Sequence, residues 1–101
     1  MPKITIPADA TNYSLYARLK LVRATETPNF MESCAIQTET NATSDDLKVG
    51  DRSMTSADYD ELIPAGESAP LRAGGAIVLS EIFVRNDGTN TINAHLKYTP
   101  M

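Results

Sequence analysis

The chain contains no tryptophan, one cysteine and one histidine, and its only rings besides that histidine are four tyrosines and two phenylalanines. Each scarcity removes a class of function. A single Cys34 supports neither an internal disulfide nor a cysteine-based zinc site. It alternates with Ile36 in an apolar run and reads as a small buried hydrophobe, not a nucleophile. The lone His95 has no serine, cysteine or carboxylate beside it in sequence, and a hydrolytic triad needs a base held by a third group. It reads as a surface histidine. Sugar-binding sandwiches present stacked rings, so the shortage of aromatics disfavours a carbohydrate module.

Positive charge is also in short supply. Lys and Arg number 9 against 13 Asp and Glu, a net charge of −4. Binding nucleic acid calls for a basic face that displaces counterions from phosphates, and none is predicted here. The densest basic stretch, Arg18, Lys20 and Arg23, reads as the solvated face of one element. No run approaches the ~18 apolar residues of a membrane span, so no membrane partner is expected. The opening Met-Pro-Lys-Ile-Thr-Ile-Pro lacks the apolar stretch and cleavage site of a signal peptide. The expectation is a protein made in a cytoplasm and not exported by a leader. On that expectation the triplets Asn12-Tyr13-Ser14 and Asn41-Ala42-Thr43 are chance matches to a glycosylation signal.

The acidic groups Asp58, Asp60 and Glu61, and Asp45 with Asp46, lack the glycine at which a calcium loop turns sharply. They read as solvated carboxylates. Gly74-Gly75 has neither the lysine nor the helix of a phosphate loop, and reads as a turn. The sequence therefore predicts no catalytic, metal-ligating or cofactor-binding residue, and not an enzyme.

What is present is two-residue periodicity broken by turns. A chain of 101 residues is one domain with a thin core, for which self-association adds burial. Residues 1–10 read as an extended arm: Ile4 and Ile6 alternate with Lys3 and Thr5 between Pro2 and Pro7. Proline cannot donate to a ladder, so this is an edge strand or a strand lent to a neighbour. Residues 13–24 fit two patterns. Leu15, Leu19 and Val22 make a helical stripe with Asn12 as N-cap, while Tyr13, Leu15, Ala17, Leu19 and Leu21 alternate as a strand would. A short helix is favoured. Tyr13 and Tyr16, three apart, would then share a helix face and pack in the core or against another subunit.

Strand signals dominate the rest. Phe30 to Thr38 alternates with Glu32, Cys34 and Ile36 on one face, and an exposed loop follows to Asp46. Leu47-Lys48-Val49 closes at Gly50-Asp51, Tyr59 to Ile63 runs into the turn Pro64-Ala65-Gly66-Glu67, and Ser68 to Arg72 leads to Gly74-Gly75. Ile77 to Arg85 is a long strand pattern that breaks near Ser80-Glu81. Asn86 to Asn90, with its Asp-Gly signal, reads as a hairpin loop. In the last strand Ile92, Ala94, Leu96 and Tyr98 point in and Thr91, Asn93, His95 and Lys97 point out. Six or seven short strands punctuated this way make a mostly-β, antiparallel sandwich with one short N-terminal helix.

From Val49-Gly50-Asp51 onward the order of signals carries a resemblance. Met54-Thr55-Ser56, Asp58-Tyr59, Leu62, Pro64 to Ser68, Leu79 to Arg85 and the final alternating strand follow one another, after a segment Asn12 to Ala24 and a strand Phe30 to Thr38. This order resembles small virion proteins of tailed phages, often capsid decoration or cement proteins. The resemblance implies a jelly-roll sandwich with no enzymatic role, made in the host cytoplasm and carried on the capsid surface. It implies binding over joints between subunits of the major capsid protein, often as a homotrimer. The candidate contact residues are Lys3, Ile4, Thr5 and Ile6 of the arm, with Tyr13 and Tyr16. A tail, baseplate or head–tail protein, or a glycan-binding sandwich at the cell surface, is the alternative.

Overall fold

A computed structural model describes residues 2–23, 27–39, 45–71 and 77–100. Their strand-forming runs assemble into two antiparallel sheets around one apolar interior. The large sheet has the order β1 (Lys3–Ile6), β9 (Ile92–Pro100), β3 (Phe30–Thr38), β6 (Ser68–Pro70), with β7 (Ile77–Val78) also on β3. The small sheet has the order β2 (Tyr13–Ser14), β8 (Phe83–Arg85), β4 (Leu47–Gly50), β5 (Glu61–Ile63). The ladders are nested in sequence: β1 pairs with β9, β2 with β8, β3 with β6 and β7, and β4 with β5. The chain thus behaves as one long hairpin rolled up on itself. Ladders β3–β9 and β4–β8 close the roll.

Period-two patterning explains the interior. Ile4, Ile6, Ile36, Ile92, Ala94 and Leu96 from the large sheet meet Leu47, Val49, Ile63 and Val84 from the small one, all buried. Burying a Leu or Ile side chain contributes roughly 1.5–3 kcal/mol, so these positions dominate stability. Helix α1 (Leu15–Lys20) adds Leu15 and Leu19 to the same interior.

The helix forms where expected, with two differences. Its N-cap is Ser14, whose hydroxyl accepts from the Ala17 amide. Asn12 instead donates to the carbonyls of Arg52 and Met54. The helix ends at Lys20, and Val22, the third member of the expected stripe, is 52% exposed.

Strand β3 keeps its expected bounds, but its face is not regular. The register shifts between Met31 and Ser33, and the additional residue is Glu32. Met31 and Cys34 are therefore both buried while Glu32 is exposed, not beside Cys34 as strict alternation requires.

The run Ile77 to Arg85 does break, at a 3₁₀ turn over Leu79–Glu81. Asn29, immediately before the neighbouring strand β3, caps that turn: its side chain accepts from the Ser80 amide at 2.8 Å and donates to the Ser80 hydroxyl at 3.2 Å. The break has a topological cause, because β7 belongs to the large sheet and β8 to the small one. The strand expected from Tyr59 is shorter, beginning at Glu61. For the same reason as the break, Asn86 to Asn90 is not a hairpin loop. It is an arch between sheets, since β8 and β9 do not pair. At the Pro64–Glu67 turn the Glu67 amide donates to the Pro64 carbonyl, and Gly66 takes φ 81°, the geometry of a type II turn. The expected Gly74-Gly75 turn and most of the expected loop after Thr38 lie outside the described residues.

Candidate interaction surface

The expected contact residues divide into two groups. Ile4 and Ile6 are fully buried in the chain's own core, because β1 is hydrogen-bonded into the large sheet as an edge strand and is not a free arm. Lys3 and Thr5, on the other parity, are exposed. Tyr13 and Tyr16 do not share a helix face: Tyr13 lies in β2 and Tyr16 in α1, each half-buried against the core.

Basic side chains lie over every tyrosine ring. Arg18 Cζ is 4.0 Å from the Tyr13 ring centre, Lys20 Nζ 6.0 Å from Tyr16, Arg23 Cζ 5.9 Å from Tyr98 and Lys48 Nζ 5.3 Å from Tyr59. The stretch Arg18, Lys20, Arg23 is thus laid against three rings, where a cation gains from the ring quadrupole. The Tyr13 hydroxyl also bonds the Asp9 carboxylate. That bond holds the Asp9 carboxyl below its ordinary range and pushes the Tyr13 hydroxyl above its own.

His95 sits on the outer face of the large sheet, in one row with Lys3 and Gln37. Tertiary structure supplies the carboxylate that local sequence lacks. His95 Nε2 lies 2.6 Å from Glu39 Oε2, and Lys3 Nζ lies 3.6 Å from the same oxygen. The His95 hydrogen bond, with help from Lys3, keeps the Glu39 carboxyl below its usual range. Around this triad the face mixes short and long side chains. Thr5 and Asn93 are opposite one another, and so are Ser33 and Thr99, Ala35 and Lys97, and Gln37 and Ser68.

The outer face of the small sheet is occupied by the chain itself. The Asn12 side chain and Lys48, which donates to the Ser56 carbonyl at 2.8 Å, hold residues 52–56 over it. Met54 is buried there with its thioether over Gly50. Asp87 bridges two cations, 2.9 Å from Lys48 Nζ and 2.9 Å from Arg85 Nε. Burial alone would raise the Asp87 carboxyl, but the Lys48 and Arg85 bonds outweigh it and hold the group below its ordinary range.

Asp58, Asp60 and Glu61 do not converge. Asp58 closes a local turn with Thr55, and Glu61 begins β5. Among the described residues no group of three His, Cys, Asp or Glu side chains is arranged to hold a metal ion, and no helix is long and apolar enough to cross a membrane. Cys34 is buried, and burial pushes its thiol up to about 11.

Sequence reasoning missed the Glu39–His95 pair and the polar clasp around Asn86, described below. Residues 39 and 95 leave no local spacing to read. Comparison of the chain with protein-family models, with curated proteins and with solved structures gives no match.

Proposed function

We propose that this chain is a jelly-roll capsid decoration protein of a tailed phage, which binds the assembled shell of major capsid protein through several weak contacts as a homotrimer. The nested ladders, with strands passing between two sheets, support the jelly-roll reading. One observation carries the functional reading: the two outer faces differ. Residues 52–56 lie over the small sheet, whereas the large sheet presents the short polar side chains Ser33, Ser68, Asn93 and Thr99 beside the longer Lys3, Gln37 and Lys97. The short side chains lose little rotamer freedom on docking, so a face that includes several of them suits rigid protein contact. Weak single contacts suffice when a trimer engages several at once, which raises avidity by about 10²–10⁴. Basic side chains over all four tyrosine rings weigh against the alternative of sugar stacking.

The test is electron microscopy of purified particles with the chain present and deleted. Density at joints between capsomers that vanishes on deletion is expected. Density on the tail or baseplate, or none on the particle, overturns the decoration reading.

A further inference from the structure

Strand β1 forms one edge of the large sheet, and its unused main-chain groups can be assigned. The Leu96 amide donates to the Pro2 carbonyl at 3.0 Å, which makes residues 2 and 96 a hydrogen-bonded pair in the β1–β9 register. Antiparallel pairs alternate, so Ile4 with Ala94 and Ile6 with Ile92 also exchange bonds with β9. The amides and carbonyls of Lys3 and Thr5 consequently point away from the sheet. Among the described residues only one of these groups is engaged: Arg18 Nη1 lies 3.3 Å from the Thr5 carbonyl.

Arg18 is the second observation. Its Nε is buried with no hydrogen-bond partner, and the guanidinium makes no ion pair among the described residues. A fixed cation with an idle donor thus stands beside idle strand groups, on a chain whose net charge is −4.

We propose that the β1 edge takes up an extended segment of a partner protein by strand addition, and that the segment carries a carboxylate for Arg18. The inference rests on the surface-contact reading above and names the chemistry of one contact. The incoming strand pairs with Lys3 and Thr5. Its amide takes over the Thr5 carbonyl, and the guanidinium turns onto the carboxylate while staying over the Tyr13 ring. Pro2 and Pro7 bracket the edge, so the added strand is about four residues long, in keeping with one weak contact among several. A second copy of this chain fits less well. Antiparallel pairing of two β1 strands about Ile4 would set Arg18 of one copy against Lys3 of the other, and like charges oppose such pairing.

The test is an NMR titration of the isotope-labelled protein with a blocked peptide, Thr-Val-Asp-Val-Thr-Val, and with its Lys-for-Asp counterpart. The acidic peptide is expected to shift the Lys3 and Thr5 amides, with the lysine peptide about tenfold weaker or worse. Thr5→Pro removes an outward donor without touching the β1–β9 ladder and is expected to abolish binding. Lys3→Pro serves the same purpose if Thr5→Pro unfolds, and Arg18→Gln should cost about tenfold. Absence of binding, equal binding of the two peptides, or wild-type binding by the proline variants overturns the proposal. Sedimentation with particles lacking the chain separates the two readings. Equal shell binding by wild type and Thr5→Pro sinks strand addition alone, whereas failure of the wild type to bind shells sinks the decoration role and leaves the peptide result to judge the edge.

Discussion

The side chain of Asn86, fully buried, donates to the carbonyl of Ile6 across 3.1 Å, joining residues 80 positions apart. It also donates to the Asn90 carbonyl at 2.7 Å and accepts from the Gly88 amide at 2.9 Å, while its own carbonyl accepts from the Ala10 amide. One asparagine therefore shapes the arch between β8 and β9 and fixes the exit of β1 to it. Replacing it removes side-chain partners from three main-chain groups at once, one buried and two part-buried. Asn86→Ala is expected to cost about 2–4 kcal/mol in urea unfolding; a loss under about 1 kcal/mol would show that water satisfies those groups.

Ala10 adopts φ 58°, the left-handed region, and is the only described non-glycine residue to do so. An alanine there is strained by about 1–2 kcal/mol, part of which glycine returns as unfolded-chain entropy. Ala10→Gly should leave stability unchanged or raise it by up to about 1 kcal/mol. Ala35→Gly, in an ordinary strand position of β3, should lower it by roughly 0.5–1 kcal/mol. Thermal unfolding of the pair gives the comparison.

Gly88 is required by a neighbour. A Cβ placed on it would come within 2.1 Å of Asp45 Cγ, and the Asp45 carboxylate accepts from the Asn90 amide at 2.9 Å. Gly88→Ala must push that carboxylate off its donor, for an expected loss of about 1–2 kcal/mol. In an Asp45→Ala background the same substitution should cost much less. Equal losses in the two backgrounds would contradict the contact.

Acid should destabilise the protein through Asp87 and Glu39. Both carboxyls are held below their ordinary values in the folded chain, Asp87 by Lys48 and Arg85 against the opposing effect of burial, Glu39 chiefly by His95. A depressed folded value contributes stability that is complete above the unfolded value, about 4, and is lost as pH falls through the folded one. The melting temperature should therefore decline below about pH 4. Asp87→Asn should shallow that decline and lower stability at neutral pH. An unchanged acid slope in the variant would remove Asp87 from the account.

Much of the fold is legible locally because period-two patterning and turn chemistry act over a few residues. The interior parity of β9, the bounds of β3 and the break before β8 all follow from such signals. What sequence does not carry is sheet membership. Ile77 to Arg85 reads as one interrupted strand, and only the assembled roll shows that its halves serve different sheets. The Asp87-Gly88 dipeptide gives the same signal in an arch as in a hairpin, so the connection after β8 is misread. Glu32 is misplaced because a bulge is invisible to strict alternation. The candidate surface is less legible still. The sequence offers Lys3, Ile4, Thr5 and Ile6 alike as contacts, of which only Lys3 and Thr5 are exposed, and the idle Arg18 donor and the Glu39–His95 contact depend on residues brought together from distant parts of the chain.

The nested order of the ladders also governs when the molecule can form. Strand β9 lies between β1 and β3, yet among the described strands it is the last to leave the ribosome. Until it arrives, Ile4 and Ile6 have no strand beside them in the sheet, and the nascent chain holds these side chains open to solvent or to chaperones. The local β4–β5 hairpin and the longer ladders β3–β6, β3–β7, β2–β8 and β4–β8 contain no part of β9 and are free to form earlier. Completion of the large sheet thus waits for β9, and stalled chains ending before Ile92 should be recovered as protease-sensitive species.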